Sequence, residues 1–240
     1  MDVYKIHDIG ELVKDNEYVG RGIVIGKTPD GKKAATAYFI MGRSENSRNR
    51  IFSEEDGNVK IYPYDEAKVE DPSLIIYYPI RKTENKLIVT NGDQTDTIYE
   101  FIKKGSSFIE ALKTRQFEPD SPNFAPRISG MITFNNNDFT YEMSILKSMD
   151  AEGSQCARYH FDYNSINGLG HFIHTYECNG NPIPTFQGEP ERVSIPDDIN
   201  EFAENIWNNL NSDNKISLYV RYIDLNDGSE QNVMYNKNLM

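Results

Sequence analysis

Val89-Thr90-Asn91-Gly92-Asp93-Gln94-Thr95-Asp96-Thr97-Ile98 joins two kinds of periodicity. Upstream, Leu87-Ile88-Val89 is a continuous apolar run of strand length, bounded by a turn. Downstream, Ile98, Phe101 and Ile102 recur at helical spacing. A polar, Gly-bearing turn therefore lies between a buried strand and a helix start. Unpartnered N–H groups at such a start attract anions, and the helix dipole adds to the attraction. The same residue types also serve plain turn geometry and capping.

Outward from this junction, short strand patterns dominate. Residues 20–26 and 34–41 form a predicted hairpin around Thr28-Pro29-Asp30-Gly31. Further strands are expected over 59–64, 74–81, 86–90, 128–134, 139–146, 157–163, 171–176, 216–224 and 231–235. Three helices are expected. One runs from near Thr95 to Gly105, and a second opens on the capping box Ser107-Phe108-Ile109-Glu110. The third covers 197–211, where Ile199, Phe202, Ala203, Ile206, Trp207 and Leu210 share one face. That places Trp207 in the core. Many strands with few helices predict an α+β layered domain. The Pro- and Gly-rich stretch 179–196 reads as a long functional loop.

The chain has 240 residues and 38% hydrophobic composition, enough for a sizeable core. Its net charge of −12 opposes nucleic acid and anionic membranes. No apolar run approaches the roughly 20 residues of a membrane span. Cys156 and Cys178 are too few for a disulfide framework and lack metal-ligand spacing. A cytoplasmic setting fits these features.

Against that acidic background, Gly42-Arg43-Ser44-Glu45-Asn46-Ser47-Arg48-Asn49-Arg50 gathers three arginines with Ser and Asn donors at a strand exit. Guanidinium forks match phosphate oxygens, so the loop is a candidate phosphate site as well as a solvated basic loop. Arg127 opens another strand, Glu118 follows the second helix, and Tyr77 offers a phenol between apolar and polar surroundings. His171 and His174 are an odd number of residues apart on one strand and so face opposite sides, which argues against a two-His metal site.

In this order and spacing the motifs resemble the archaeal-type IMP cyclohydrolases and their bacterial relatives. The resemblance begins at Tyr18-Val19-Gly20-Arg21. It continues through Arg43-Ser44, Asn49-Arg50, Tyr77-x-x-Ile80-Arg81 and Asn91-Gly92-x-x-Thr95-Asp96-Thr97-Ile98, then Glu118 and Pro126-Arg127-Ile128. Gly170 to Tyr176 and Gly188-Glu189-Pro190 look like the bacterial branch. Residues 1–17 are then an N-terminal extension and 18–240 a single domain.

The resemblance implies a four-layer αββα sandwich like that of N-terminal-nucleophile hydrolases, without self-processing. The implied reaction closes 5-formamidoimidazole-4-carboxamide ribotide to IMP with loss of water, with no cofactor and no metal. It assigns Arg50, Tyr77, Glu118 and Arg127 to catalysis. Arg21, Arg43, Ser44, Asn49, Asn91, Gly92, Asp93, Thr95 and Asp96 are assigned to substrate binding. The partner is a small ribonucleotide, and the sequence allows a homo-oligomer. An amide hydrolase on the same fold and a non-catalytic nucleotide-binding domain remain alternatives.

Overall fold

The computed structural model describes residues 2–69 and 76–240. Strands β1 (Arg21–Lys27) and β2 (Lys33–Met41) open one sheet. A second sheet is built from β3 (Ile51–Glu55), β4 (Asn58–Tyr62), β5 (Ile80–Thr83), β6 (Lys86–Thr90), β7 (Arg127–Asn135), β8 (Asp138–Ser148) and β9 (Cys156–Asn164). The chain then returns to the first sheet with β10 (Leu169–His174), β11 (Glu191–Ser194), β12 (Lys215–Asp224) and β13 (Glu230–Asn236). The first sheet has the order β11-β10-β1-β2-β12-β13, and the second runs β3 to β9 in sequence order. Every strand pairing within the two sheets is antiparallel.

Alternation of side chains across each strand gives each sheet two apolar faces. Ile23, Ile25, Tyr38 and Ile40 of the first sheet meet Val59, Ile61, Val89, Ile128 and Tyr141 of the second in one buried cluster. The other face of the first sheet is covered by α1 (Ile9–Val13) and α5 (Ile199–Asn209), through Ile9, Val13, Phe202, Ile206 and Trp207. The far face of the second sheet is covered by α3 (Gln94–Lys103) and α4 (Phe108–Lys113), through Ile98, Phe108 and Ala111. The chain is thus α+β, with two antiparallel sheets and few helices. Phe202→Ala would empty the centre of the α5 contact and cost roughly 3–5 kcal/mol.

The helix starts follow their capping chemistry. The Asp198 carboxylate accepts from the Asn200 and Glu201 N–H groups and starts α5. Ser107 and Glu110 form the reciprocal capping box of α4. Trp207 is buried, as its helical phase requires.

Some expectations need correction. The strand expected over 74–81 begins only at Ile80; residues 76–79 carry no regular structure and 74–75 lie outside the described residues. Pro79 has no N–H to donate, so it contributes only its carbonyl, which accepts from the Thr90 N–H at 2.8 Å. Strand β3, unexpected from the sequence, pairs residue by residue with β4. The stretch 179–196 is not all loop, because β11 adds an edge strand to β10. Ahead of Tyr18, Ile9 and Val13 are buried, and His7 bridges Val193. Both cysteines are free thiols.

Candidate functional site

The turn after β6 is built by its own side chains. Thr90 Oγ1 accepts from the Gly92 N–H and lies 2.6 Å from Thr95 Oγ1. The Asn91 amide donates to the Pro126 carbonyl at 2.8 Å, and its oxygen accepts from the Ile128 N–H at 2.9 Å. Asn91 thereby locks the turn to the start of β7. Gly92 is required for space: a Cβ there would lie 2.7 Å from Arg127 Nη1 and 2.6 Å from Gln94 Oε1. The missing side chain leaves the place the Arg127 guanidinium occupies.

Asp93 stands at the N-cap of α3 but makes no side-chain cap bond. Its carboxylate accepts from Arg127 at 2.6 Å and from Arg115. Arg127 also pairs with Glu118 at 2.9 Å and donates to Gln94 Oε1 at 2.6 Å. This helix start therefore carries two carboxylates among its own arginines, and the Asp93 side chain turns to those arginines rather than to the helix N–H groups. Burial works against the Asp93 charge, but Arg115 and Arg127 outweigh it and hold the carboxyl below its ordinary range. For Glu118 burial wins over Arg127, with Asp93 acting in the same direction as burial, and its carboxyl is pushed up.

This cluster forms one side of a cavity of about 800 Å³. The opposite side is cationic. Arg21 opens β1 and is preceded by Gly20, whose φ of +79° and close approach to Thr175 exclude a side chain. That approach seats Tyr18 on Tyr176, ring centroids 5.6 Å apart. Arg43 lies over the Tyr18 ring and donates to Asn179 Oδ1 at 2.7 Å and to the Gly180 carbonyl at 2.8 Å. Ser44 caps the short helix α2 (Glu45–Arg48) by accepting from the Ser47 N–H. Arg50, just beyond α2, is buried; its Nε has no hydrogen-bond partner among the described residues. Burial first, and then the like charge of Arg21, push its guanidinium pKa down. Among the described residues no carboxylate lies within 4.0 Å of Arg21, Arg43 or Arg50.

The structure brings Arg21, Arg43, Ser44, Arg50, Tyr77, Asn91, Gly92, Asp93, Glu118 and Arg127 to the wall of this cavity. Asn49, Thr95 and Asp96 do not line it. Asn49 is buried and bonds both the N–H and the carbonyl of Asp65. Thr95 is buried in the hydroxyl pair with Thr90, and Asp96 pairs with Arg81 at 2.7 Å. Arg48, the middle arginine of its loop, donates to the Gly42 carbonyl and to Asn214 and holds the loop in place.

Tyr18, Ser47, Asp120, Asn123, Thr175, Tyr176 and Ile183 also line the cavity without having been assigned from sequence. Tyr18 and Tyr176 lie inside stretches that carried the resemblance, which was the available signal. Asp120, Asn123 and Ile183 come from two loops that meet where the Ile183 N–H donates to Asn123 Oδ1 at 3.1 Å, a long-range contact with no local pattern. Among the described residues no cluster of His, Cys, Asp and Glu is arranged to hold a metal. His171 and His174 do face opposite sides of β10: His171 bonds Tyr141 at 2.7 Å between the sheets, and His174 stacks on Phe172 beneath the helices. No described helix is long and apolar enough to cross a membrane.

The arrangement can bind an anion at guanidinium groups that have no carboxylate partner among the described residues and exchange a proton at a half-buried carboxyl within the same cavity. Comparison with known proteins agrees with this chemistry. Residues 18–228 match the family model described as IMP cyclohydrolase-like protein. The chain is 29% identical over 165 residues to the IMP cyclohydrolase of Methanococcus aeolicus, covering 67% of this chain and 75% of that protein. It is 35% identical over 121 residues to that of Methanococcus maripaludis strain C7, covering 48% and 58%. Against that of Methanocaldococcus jannaschii it is 32% identical over 120 residues, covering 49% and 58%. The chain belongs to the IMP cyclohydrolase-like protein family.

Proposed function

We propose that this protein is an IMP cyclohydrolase, closing 5-formamidoimidazole-4-carboxamide ribotide to IMP with loss of water, the last step of purine synthesis. The observation that carries the reading is the set of three arginines without carboxylate partners among the described residues, Arg21, Arg43 and Arg50, in one cavity of a chain with net charge −12. A buried cation without a partner, as at Arg50, is unfavourable to the fold alone, and with Arg21 and Arg43 beside it suits an anionic ligand. Arg43, at the rim beside Ser44 and Ser47, holds the 5′-phosphate.

The reaction is intramolecular. The carboxamide nitrogen attacks the formyl carbon and a C–N bond forms. The formyl oxygen takes the carbonyl electron pair and a proton, while the nitrogen gives one up. The C–O bond then breaks, the formamide nitrogen releases its proton, and water leaves. Holding the two amide arms face to face supplies much of the rate. Arg50, with Arg21 beside it, meets the negative charge that develops on the formyl oxygen. Tyr77 donates a hydrogen bond to that oxygen. Glu118, with its carboxyl pushed up by burial, takes the proton from the attacking nitrogen. Arg127 orients Glu118, and the 91–93 turn lines the ribotide site. Asn49, Thr95 and Asp96, off the cavity wall, act by holding its loops.

The same reading gives the fold its finer description. The order helices, sheet, sheet, helices is that of the αββα sandwich of N-terminal-nucleophile hydrolases, and the three apolar clusters support it. It also places the enzyme in the cytoplasm, acting on a free ribonucleotide, with residues 18–240 as one catalytic domain and 1–17 as an extension.

The test is direct. Purified protein is mixed with the formylated ribotide and the formation of IMP is followed by ultraviolet absorbance. Turnover well above the buffer rate is expected; IMP binding without any turnover would leave only a nucleotide-binding domain.

A further inference from the structure

Behind the cavity wall lies a second phenol. Tyr38, on β2, is fully buried between the two sheets, stacked on Phe52 with ring centroids 5.6 Å apart. It is not part of the cavity lining, but its hydroxyl oxygen lies 3.3 Å from that of Tyr77, which is. Tyr77 is the only hydrogen-bond partner of the Tyr38 hydroxyl among the described residues. The nearby charged groups that act on the Tyr38 phenol are Arg21 and Arg50. A guanidinium is all donor and offers no acceptor for a phenolic hydrogen.

The direction of the bond follows. A hydroxyl buried away from water loses free energy if its hydrogen has no acceptor. If Tyr77 donated to Tyr38, the Tyr38 hydrogen would face, among the described residues, only donors and apolar side chains. If Tyr38 donates to Tyr77, both hydrogens are used: that of Tyr38 on the Tyr77 oxygen, and that of Tyr77 on whatever occupies the cavity. We infer that Tyr38 is a positioning residue, fixing Tyr77 as a hydrogen-bond donor aimed into the cavity at the reacting oxygen.

This rests on the cyclohydrolase reading and adds a residue that never touches the substrate. It also explains why a tyrosine stands where Phe would fill the same apolar space beside Phe52 and Ile23. Burial, followed by Tyr77, pushes the Tyr38 phenol well above its ordinary range, so it keeps its proton throughout the working pH of the enzyme.

The test is a double-mutant cycle on turnover of the formylated ribotide with wild type, Tyr38→Phe, Tyr77→Phe and the double variant. Loss of one oriented hydrogen bond in the transition state predicts kcat about tenfold lower for Tyr38→Phe, with KM unchanged. Tyr77→Phe should lose about 100-fold, and the double variant no more than that, because Tyr38 has nothing left to orient. Wild-type kcat in Tyr38→Phe, or losses that multiply in the double variant, would overturn the assignment while leaving the cyclohydrolase reading intact. A wild-type protein without turnover would overturn both. Should Tyr38→Phe not fold, 3-fluorotyrosine at position 38, nearly isosteric and more acidic, replaces it. As a stronger donor to Tyr77 it should raise kcat about twofold with KM unchanged, and have no effect in Tyr77→Phe; an unchanged kcat would overturn the role.

Discussion

The two walls of the cavity handle arginine in opposite ways. On one, Arg127 is bound to Asp93, Glu118 and Gln94, and Arg115 closes the network from behind. On the other, Arg21, Arg43 and Arg50 have no carboxylate partner among the described residues, and the buried Arg50 has an Nε without a described hydrogen-bond partner. The first arrangement serves the fold: it ties the β6–α3 turn to the start of β7. The second is a standing excess of positive charge, buried at Arg50 and exposed at Arg43, that the fold alone does not need, and a ligand phosphate and a developing oxyanion supply what is missing. A paired arginine and an unpaired one should therefore respond to the same substitution in opposite ways.

The largest expected effect is on Arg50. Arg50→Met should lower kcat by about 10²–10³, the usual loss for a donor to a developing oxyanion. The same variant should melt at or above the wild-type temperature, because it removes an unpaired buried charge and its repulsion from Arg21. Steady-state kinetics and a thermal melt on one sample check both. A variant that is both inactive and strongly destabilised would make Arg50 a structural residue.

Arg127→Met should do the reverse in stability. It leaves Asp93 and Glu118 without their shared partner; since Asp93 is 54% exposed, the loss is about 2–3 kcal/mol rather than that of a fully buried pair. Urea unfolding measures it. An unchanged midpoint would erase the distinction between the walls.

Arg43→Ala, at the rim, should raise KM about tenfold with little change in kcat, as expected for a group that binds the phosphate equally before and during reaction. Raising the ionic strength should raise the wild-type KM and affect the variant less.

The pH profile of the wild type gives the smallest signal. Burial raises the Glu118 carboxyl above its ordinary 4.5, and the deprotonated form is the active base. Activity should be present above that raised value and fall as pH drops through it, so the acid limb of kcat/KM lies above the ordinary carboxylate range. In Glu118→Gln the limb should vanish along with most of the rate. A limb retained in that variant would assign it to another group, with Asp120 the next candidate on the same wall.

Much of this frame could be read along the chain, because its causes are local. Alternating and continuous apolar runs gave most strands their place, and the Ser107–Glu110 box and the helical phase around Trp207 located two helices. The failures have physical reasons. Strand β3 carries Ser53, Glu54 and Glu55, so it lacks an apolar signature and is a strand only because β4 pairs with it. Tyr77 precedes its strand because Pro79 interrupts the ladder. The cavity was legible as a set of arginines and a turn, yet its division into a paired and an unpaired wall was not. Whether Arg127 or Arg50 finds a carboxylate depends on contacts such as Arg127–Asp93, 34 residues apart, that only the folded sheets create.

A structure of the protein with IMP bound tests the division between the walls most directly. The account predicts the phosphate on Arg43, the purine beside Arg50 and Tyr77, and the Arg127 pairs with Asp93 and Glu118 still closed. If IMP instead lay against Arg127 with those carboxylates displaced, or bound away from Arg21, Arg43 and Arg50, the unpaired arginines would not be the substrate site and the account would be wrong.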